Sequence, residues 1–312
     1  MKLDVIGFGA LNFDKLCKVE RIAKSGEHIA IDSIYESPGG SAANTIVALA
    51  KLNLKTGFIG AIGDDNEGKE IFIDLKKFHV DTKGIKILKG KKTGTIIGFV
   101  DKKGERTLYP YAGANNFLMR KHLSINYAKN AKFLHLSSFV GEKQFELQKF
   151  LVEKIHNDVR ITFSPGDLYS KKGLKKILPI VKHSEVIFLN KNETEILTKK
   201  SYFNGAKILS EYVKIVVITL GKKGCYIKTK ENEFYIPAIK ARVVDTTGAG
   251  DAFAAGFLYG LIKEMPLEIC GKIGNFLASL CVEKFGAREW LKKKKLKKRR
   301  GFAPFSFRLI HD

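Results

Sequence analysis

The chain has 312 residues, 45% hydrophobic and 28% charged, as expected of a globular protein with a large core. It carries a formal charge of +23, and no apolar run reaches the length of a bilayer span. Its four cysteines and seven histidines are too scattered for a disulfide framework or for zinc-ligand spacing. The N-terminus has no signal-peptide layout, since Asp4 interrupts its apolar stretch. A cytoplasmic protein with free thiols and no membrane partner is expected. Eight of the ten residues 291–300 (LKKKKLKKRR) are basic, while the remaining lysines are dispersed. That pattern reads as a solvated surface with one basic tail, and nucleic acid is an expected partner only through the tail.

In chain order, LDVIGFG (3–9) reads as a buried strand. The GFGALN that begins at Gly7 resembles the opening of a dinucleotide fingerprint, but Asn12 stands where its third glycine should be. HIAIDSIYES (28–37) alternates like a half-exposed strand, and SPGGSAANTIVALAKL (37–52) takes a glycine pair into a helix from Ala42 to Leu52. There Gly39 and Gly40 can hinge, and Asn44 offers a donor and an acceptor to substrate hydroxyls. TGFIGAIG (56–63) is another buried strand, followed by a helix over 67–78. TGTIIGFVD (93–101) and ERTLYPYAG (105–113) alternate again and are joined by KKG, as in a hairpin. These alternating strands predict a small antiparallel second sheet, plausible as a lid.

From there strands and helices take turns. FLHLSS, RITFSPG, EVIFLN and IVVITLG read as strands, with helices expected over 142–155, 171–181 and 202–212. Repeated strand–helix order implies a parallel sheet covered on both faces, with function at the carboxyl ends of its strands. No Walker pattern is present, because the glycine turn GKKG (221–224) has the wrong layout for a P-loop.

DTTGAGD (245–251) leads into AFAAGFLYGLI, which is apolar all round and reads as a buried helix. Gly248, Ala249 and Gly250 leave the first backbone N–H groups of that helix uncovered, and these can close on an anion with help from the helix dipole. Such a helix start suits a phosphoryl group. Asp251 beside it could take the proton of an attacking hydroxyl, where the plainer reading is a capping aspartate.

Together the Gly-Gly-x-x-x-Asn segment, FIGAIGDDNEG (58–68) and DTTGAGDAFAAGF resemble the ribokinase, or pfkB, family of sugar and nucleoside kinases, over about residues 3–288. The resemblance implies a three-layer α/β/α sandwich with a mainly parallel central sheet and a small β-sheet lid. It implies ATP as phosphoryl donor with Mg2+, and transfer to a hydroxymethyl group of a sugar such as ribose or fructose, or alternatively of a nucleoside. Asp251 would be the catalytic base, with the amides of Gly248, Ala249 and Gly250 as the anion hole. Asn12, Asp14, Gly40 and Asn44 would hold the acceptor. Asn190 and Glu193 would order Mg2+, through water, near the phosphates. Thr219, Gly221, Gly224 and Asn275 would line the nucleotide site. Read alone, Asn190 is a helix cap, Asp14 a turn residue and Gly221 a strand-ending turn.

The chain departs from the family pattern twice. Ribose-directed members carry a lysine after the glycine pair, where this chain has Ser41. After VEKFGARE the expected proline turn and last helix are replaced by the lysine run and Phe302, Phe305 and Phe307. This ending reads as an out-of-frame translation of a lysine-codon run more readily than as a nucleic-acid-binding tail. It also puts in question the K+ site that relatives build near the position of Gly286. The expected organisation is a kinase domain over 1–290, with lid strands from about 12–22, 28–38 and 93–113, and an atypical tail over 291–312. A homodimer paired lid to lid would protect the exposed edges of the small sheet.

Overall fold

The computed structural model describes residues 2–102 and 106–292. In chain order the elements begin with β1 (Leu3–Phe8), β2 (Asn12–Val19), β3 (Ile31–Gly39), α1 (Ser41–Lys51), β4 (Thr56–Gly63), α2 (Asn66–Lys77) and β5 (Asp81–Leu88). Next come β6 (Gly94–Val100), β7 (Arg106–Tyr111), α3 (Ile125–Lys129), β8 (Ala131–Ser137), α4 (Glu142–Ile155), β9 (Arg160–Ser164), α5 (Gly166–Ser170) and α6 (Leu174–Val181). The chain continues through β10 (Ser184–Asn190), α7 (Lys191–Thr198), α8 (Tyr202–Leu209), β11 (Ile215–Thr219), β12 (Cys225–Lys228), β13 (Glu233–Ile236), α9 (Ala249–Ile262) and α10 (Leu267–Cys281).

The large sheet has nine strands in the order β13-β12-β11-β10-β9-β8-β1-β4-β5. Seven run parallel, from β11 to β5, and the β12–β13 hairpin is added antiparallel at one edge. Residues along each central strand alternate between two cores. Val186 and Phe188 pack with α1, α9 and α10, while Ile187 and Leu189 pack with α4, α6 and α8. A strand buried on both faces explains the unbroken apolar runs in the sequence. This is the expected three-layer arrangement, with a mostly parallel sheet between helices and a second, smaller sheet.

The small sheet has the order β3-β2-β6-β7. It is mixed, not wholly antiparallel: β2 pairs antiparallel with β3 but parallel with β6. The crossover through α1, β4, α2 and β5 separates β2 from β6, so the two need not run in opposite directions. β6 and β7 pair antiparallel as the hairpin reading required, although most of the KKG connection lies outside the described residues. Register puts Asp14, Leu16, Tyr35, Ser37, Ile96, Gly98 and Leu108 on one face, and Ile34, Ile97, Tyr109 and Tyr111 on the other.

Several expectations need correction. The helix read over 171–181 is two helices, α5 and α6, parted at Gly173 with φ of 80°. Helix α10 and the β12–β13 hairpin were not anticipated, and α7 was foreshadowed only by the reading of Asn190 as a helix cap. α7 begins at the residue after its strand, without a loop to announce it, and the glycines of LEICGKIGNFLASLC dilute the helical signal of α10. Leu291, assigned to the tail by composition, is buried in the core beside Trp290. The lysine run from residue 293 onward, with Phe302, Phe305 and Phe307, lies outside the described residues. All four cysteines are buried and unpaired, and no described helix is long and apolar enough to cross a membrane.

Candidate active site

Strand order reverses at β1, whose two neighbours are β8 and β4, so a crevice opens at the carboxyl ends of β1 and β8. The chain must pass close there. A Cβ at Gly9 would come within 2.3 Å of Ser137 Oγ, the same oxygen that accepts from the Ala42 N–H at 3.1 Å. At Gly40, φ is 101° and a Cβ would meet Ala10 O at 2.3 Å, so only glycine fits this entry to α1. The turn 11–12 is pinned by buried Asn115, which accepts from the Leu11 N–H and donates to Leu11 O and Asn12 Oδ1.

Into this crevice points the start of α9. Gly248 caps it in the left-handed region at φ 77°, and a Cβ there would strike Ala287 at 2.5 Å. Asp245 fixes the approach: its Oδ1 accepts from the Thr247 N–H and hydroxyl, and its Oδ2 from the Gly286 N–H. Asp251 lies in the first turn of α9, and both its oxygens are engaged. Ser41 Oγ donates to Oδ1 at 2.7 Å and Asn44 Nδ2 donates to Oδ2 at 2.8 Å. Arg288, 6% exposed, donates from Nε to Asn44 Oδ1 at 2.8 Å, and also to Gly39 O and the Asp74 carboxylate.

Asp14 faces the same space from the small sheet. Its Oδ1 is shut from solvent without a hydrogen-bond partner, and a Cβ at Gly39 would sit 2.2 Å from its Oδ2. Burial pushes its carboxyl up to about 7. The Arg288 charge opposes that rise and the Asp251 charge adds to it. An unpaired buried carboxylate oxygen is a place where a hydroxyl donor fits.

On the other side of the α9 start lies a cavity of about 460 Å3, lined among others by Thr219, Gly221, Gly224, Ala249, Gly250 and Asn275. Phe253, Ile239 and Val282 make its walls apolar, as suits a planar base, and Gly250 at the start of α9 is part of its lining. Gly221 (φ 57°) and Gly224 (φ 101°) form the tight turn after β11.

The matches to known proteins agree with this geometry. Residues 2–294 match the model of the pfkB family of carbohydrate kinases. The chain belongs to this family. It is 36% identical over 249 residues to an uncharacterized sugar kinase of Archaeoglobus fulgidus, covering 78% of this chain and 98% of that one. It is 31% identical to a nucleoside kinase of Methanocaldococcus jannaschii, over 92% of each chain. Among solved structures, a ribokinase of Cryptococcus neoformans in complex with ADP superposes at a TM-score of 0.80 and 26% identity, over 93% of this chain and 96% of that one. The protein is therefore a kinase of the ribokinase type.

Within this family frame, the residues singled out from sequence fall into three groups. Asp14, Asn44 and Asp251 converge on the crevice, with Asn12 and Gly40 shaping its wall. Thr219, Gly221, Gly224 and Asn275 line the cavity. The side chain of Asn275 is already committed, since its Nδ2 donates to Ile236 O and Pro237 O. Asn190 and Glu193 form a reciprocal cap on α7, each side chain accepting from the other's N–H at 2.8 Å. The carboxyl of Glu193 is raised by burial and by the charges of Asp167 and Asp251. Among the described residues no three His, Cys, Asp or Glu side chains converge to hold a metal directly.

One expectation about the anion hole changes. The Ala249 N–H turns back onto Thr246 O at 3.2 Å, which leaves the Gly248 and Gly250 amides without a backbone partner among the described residues. Ser41, Asn115 and Arg288 had not been picked out as site residues. Ser41 stood out only as a departure from the lysine of ribose-directed relatives, and Arg288 only as part of Gly-Ala-Arg.

Proposed function

We propose that the protein transfers the γ-phosphoryl group of ATP to a hydroxymethyl group of a sugar such as ribose or fructose, with Asp251 as the base. The observation that carries this reading is the position of one helix start between two spaces. Gly250 lines the cavity, while the next residue is bonded to Ser41 and Asn44 in the crevice that Asp14 faces. A phosphoryl group held by the Gly248 and Gly250 amides would then lie next to a hydroxyl held by Asp14 and Asn44. Phosphoryl transfer asks mainly for such positioning and for charge stabilisation.

The cavity takes the nucleotide, with Thr219, Gly221 and Gly224 around its phosphates and Asn275 in the base-side wall. ADP in the related fungal ribokinase supports an adenine nucleotide here. Asn190 and Glu193 suit a magnesium ion that keeps its own waters, because the carboxyl of Glu193 stands in a field of negative charge and no closed ligand set exists among the described residues. When bound, Mg2+ neutralises charge on the phosphates. The small sheet closes over the acceptor and excludes water, which would otherwise compete as nucleophile.

A second reading, a nucleoside as acceptor, is favoured by the lid. Leu16, Ile96 and Leu108 share the face of Asp14, with Leu16 and Leu108 closing over Gly98, where a Cβ would meet them at 2.5 and 2.8 Å. An apolar wall of that kind would stack a base, whereas a free sugar gives it little to cover. ADP release measured across ribose, fructose, adenosine, cytidine and inosine tests both readings. Turnover with one class and not the other assigns the acceptor, and no acceptor-dependent release with any of them would remove the proposal.

A further inference from the structure

The guanidinium of Arg288 has no place in the reading above, yet it is among the most buried charges in the protein. It reaches the site from the segment after α10, does not line the cavity, and sends its hydrogen bonds to groups other than Asp251. Its contacts are Asn44 Oδ1 through Nε, Gly39 O through one terminal nitrogen and the Asp74 carboxylate through the other. Arginine is a donor only, so the atom of Asn44 facing Nε must be the oxygen. The amide of Asn44 has two nearly isosteric senses, and this contact leaves it one. Its Nδ2 then faces Asp251 Oδ2 and donates.

We infer that Arg288 is a positioning residue for catalysis: by fixing the sense of the Asn44 amide, it aims Asp251 and holds it as a carboxylate ready to take a proton. The inference rests on the reading of Asp251 as the base. The relay runs Asp74–Arg288–Asn44–Asp251 and crosses α2, the segment after α10, α1 and α9. Each joint is charged or charge-assisted, so each is directional. Without the guanidinium, Asn44 could present its oxygen to Asp251, and two acceptors would repel. The carboxylate would then turn away from the attacking hydroxyl or keep its proton. The ionisable groups that feel the charge of Asp251 include, besides this relay, Asp14 on β2, Glu193 on α7 and the Cys281 thiol on α10. The segment that carries Arg288 is also anchored on the lid, since the hydroxyl of Tyr35 donates to Glu289 at 2.7 Å and its ring packs edge-on against Phe285.

The test is the pH profile of kcat for the full chain, with ATP and the acceptor of best turnover. Arg288→Met should lower kcat about 10²-fold, the cost of a misaimed reacting group, with ATP affinity unchanged by calorimetry. Its acid limb should move up by roughly one pH unit, because Asp251 loses a donor to its charged form. In an Asn44→Ala background the same change should add little, because both act through one contact. Arg288→Lys keeps a cation against Asp74 but lacks the planar fork. It should show the same shift of the limb with a smaller fall, and it carries the test alone should Arg288→Met yield no soluble protein. A fall in kcat with an unmoved acid limb, or losses that add fully in the Asn44→Ala background, would overturn the inference. An inactive Asp251→Asn beside an Arg288 variant of unmoved limb sinks only this inference, whereas an active Asp251→Asn sinks the base assignment itself.

Discussion

Asp14 is the residue whose chemistry depends most on its surroundings. Strand β2 places it under the lid, Gly39 leaves room beside it, and burial lifts its carboxyl to about 7 from the ordinary 3.8. Its folded-state value lies above the unfolded one, so this group stabilises the free protein fully below about pH 4. That contribution is lost as pH rises through about 7. Acceptor binding has the opposite sign, because hydroxyls donate to the carboxylate and favour its charged form. Acceptor KM should therefore fall roughly tenfold between pH 6 and 8, as the ionised fraction of Asp14 rises. Asp14→Asn should flatten that dependence, raise KM and leave ATP affinity alone. A wild-type KM that is flat with pH would remove Asp14 from the acceptor site. Asn190 makes a second test at this scale. Its side chain caps α7, so Asn190→Ala should cost about 1 kcal/mol in thermal or urea unfolding, whatever it does to the KM for ATP. An unchanged midpoint would mean the cap contributes nothing.

Among the elements, α1 and α9 are set by glycines at their starts, and these glycines are not interchangeable with small residues. Gly40→Ala places a Cβ on Ala10 O and forces a left-handed φ, so a loss of about 1–3 kcal/mol is expected in a thermal melt. Reading Gly40 from sequence only as a hinge would predict little change in stability; the backbone contact argues otherwise. A variant that melts with the wild type would show that the turn relaxes. This contrast also marks how far the sequence could be read. The α9 start was legible because bare backbone before an apolar helix leaves a contiguous signature. The buried strands were legible because both their faces are covered. Ser41 and Arg288 were not, because their partners lie 210 and 244 positions away and no local spacing encodes such bonds. The mixed pairing of the lid was hidden for a related reason: alternation reveals a half-exposed strand but not its direction. The break between α5 and α6 depended on a single positive φ at Gly173.

At the scale of the molecule, one sheet carries the cavity proposed for the nucleotide and the crevice proposed for the acceptor on either side of a helix start, and Asp14 faces that crevice from the second sheet. Trp290 and Leu291 lie in the core, so the two truncations that bracket Leu291 should differ. Ending the chain after Lys292 should preserve kinase activity and reduce retention on a polyanion column, in proportion to the basic residues removed. Ending it after Trp290 also removes a buried leucine and should cost a further 2–5 kcal/mol or so. Equal stability of the two would show that Leu291 packs less tightly than its burial indicates. Lid-to-lid pairing was expected from the exposed edges of the small sheet; we propose that its outer face, with Ile34, Ile97, Tyr109 and Tyr111 exposed, joins in that pairing. A Tyr109→Lys variant should then sediment more slowly than the wild type, and equal sedimentation would remove this face from the interface. Asp251 is proposed to deprotonate an acceptor hydroxyl beside an ATP held at the start of α9. The direct measurement is single-turnover formation of phosphorylated acceptor by wild-type protein and by Asp251→Asn, both with nucleotide affinity determined. The account predicts a fall of roughly 10²–10⁴ in the rate of transfer, with ATP bound within a few fold as tightly. A variant that keeps more than half the wild-type rate would contradict it.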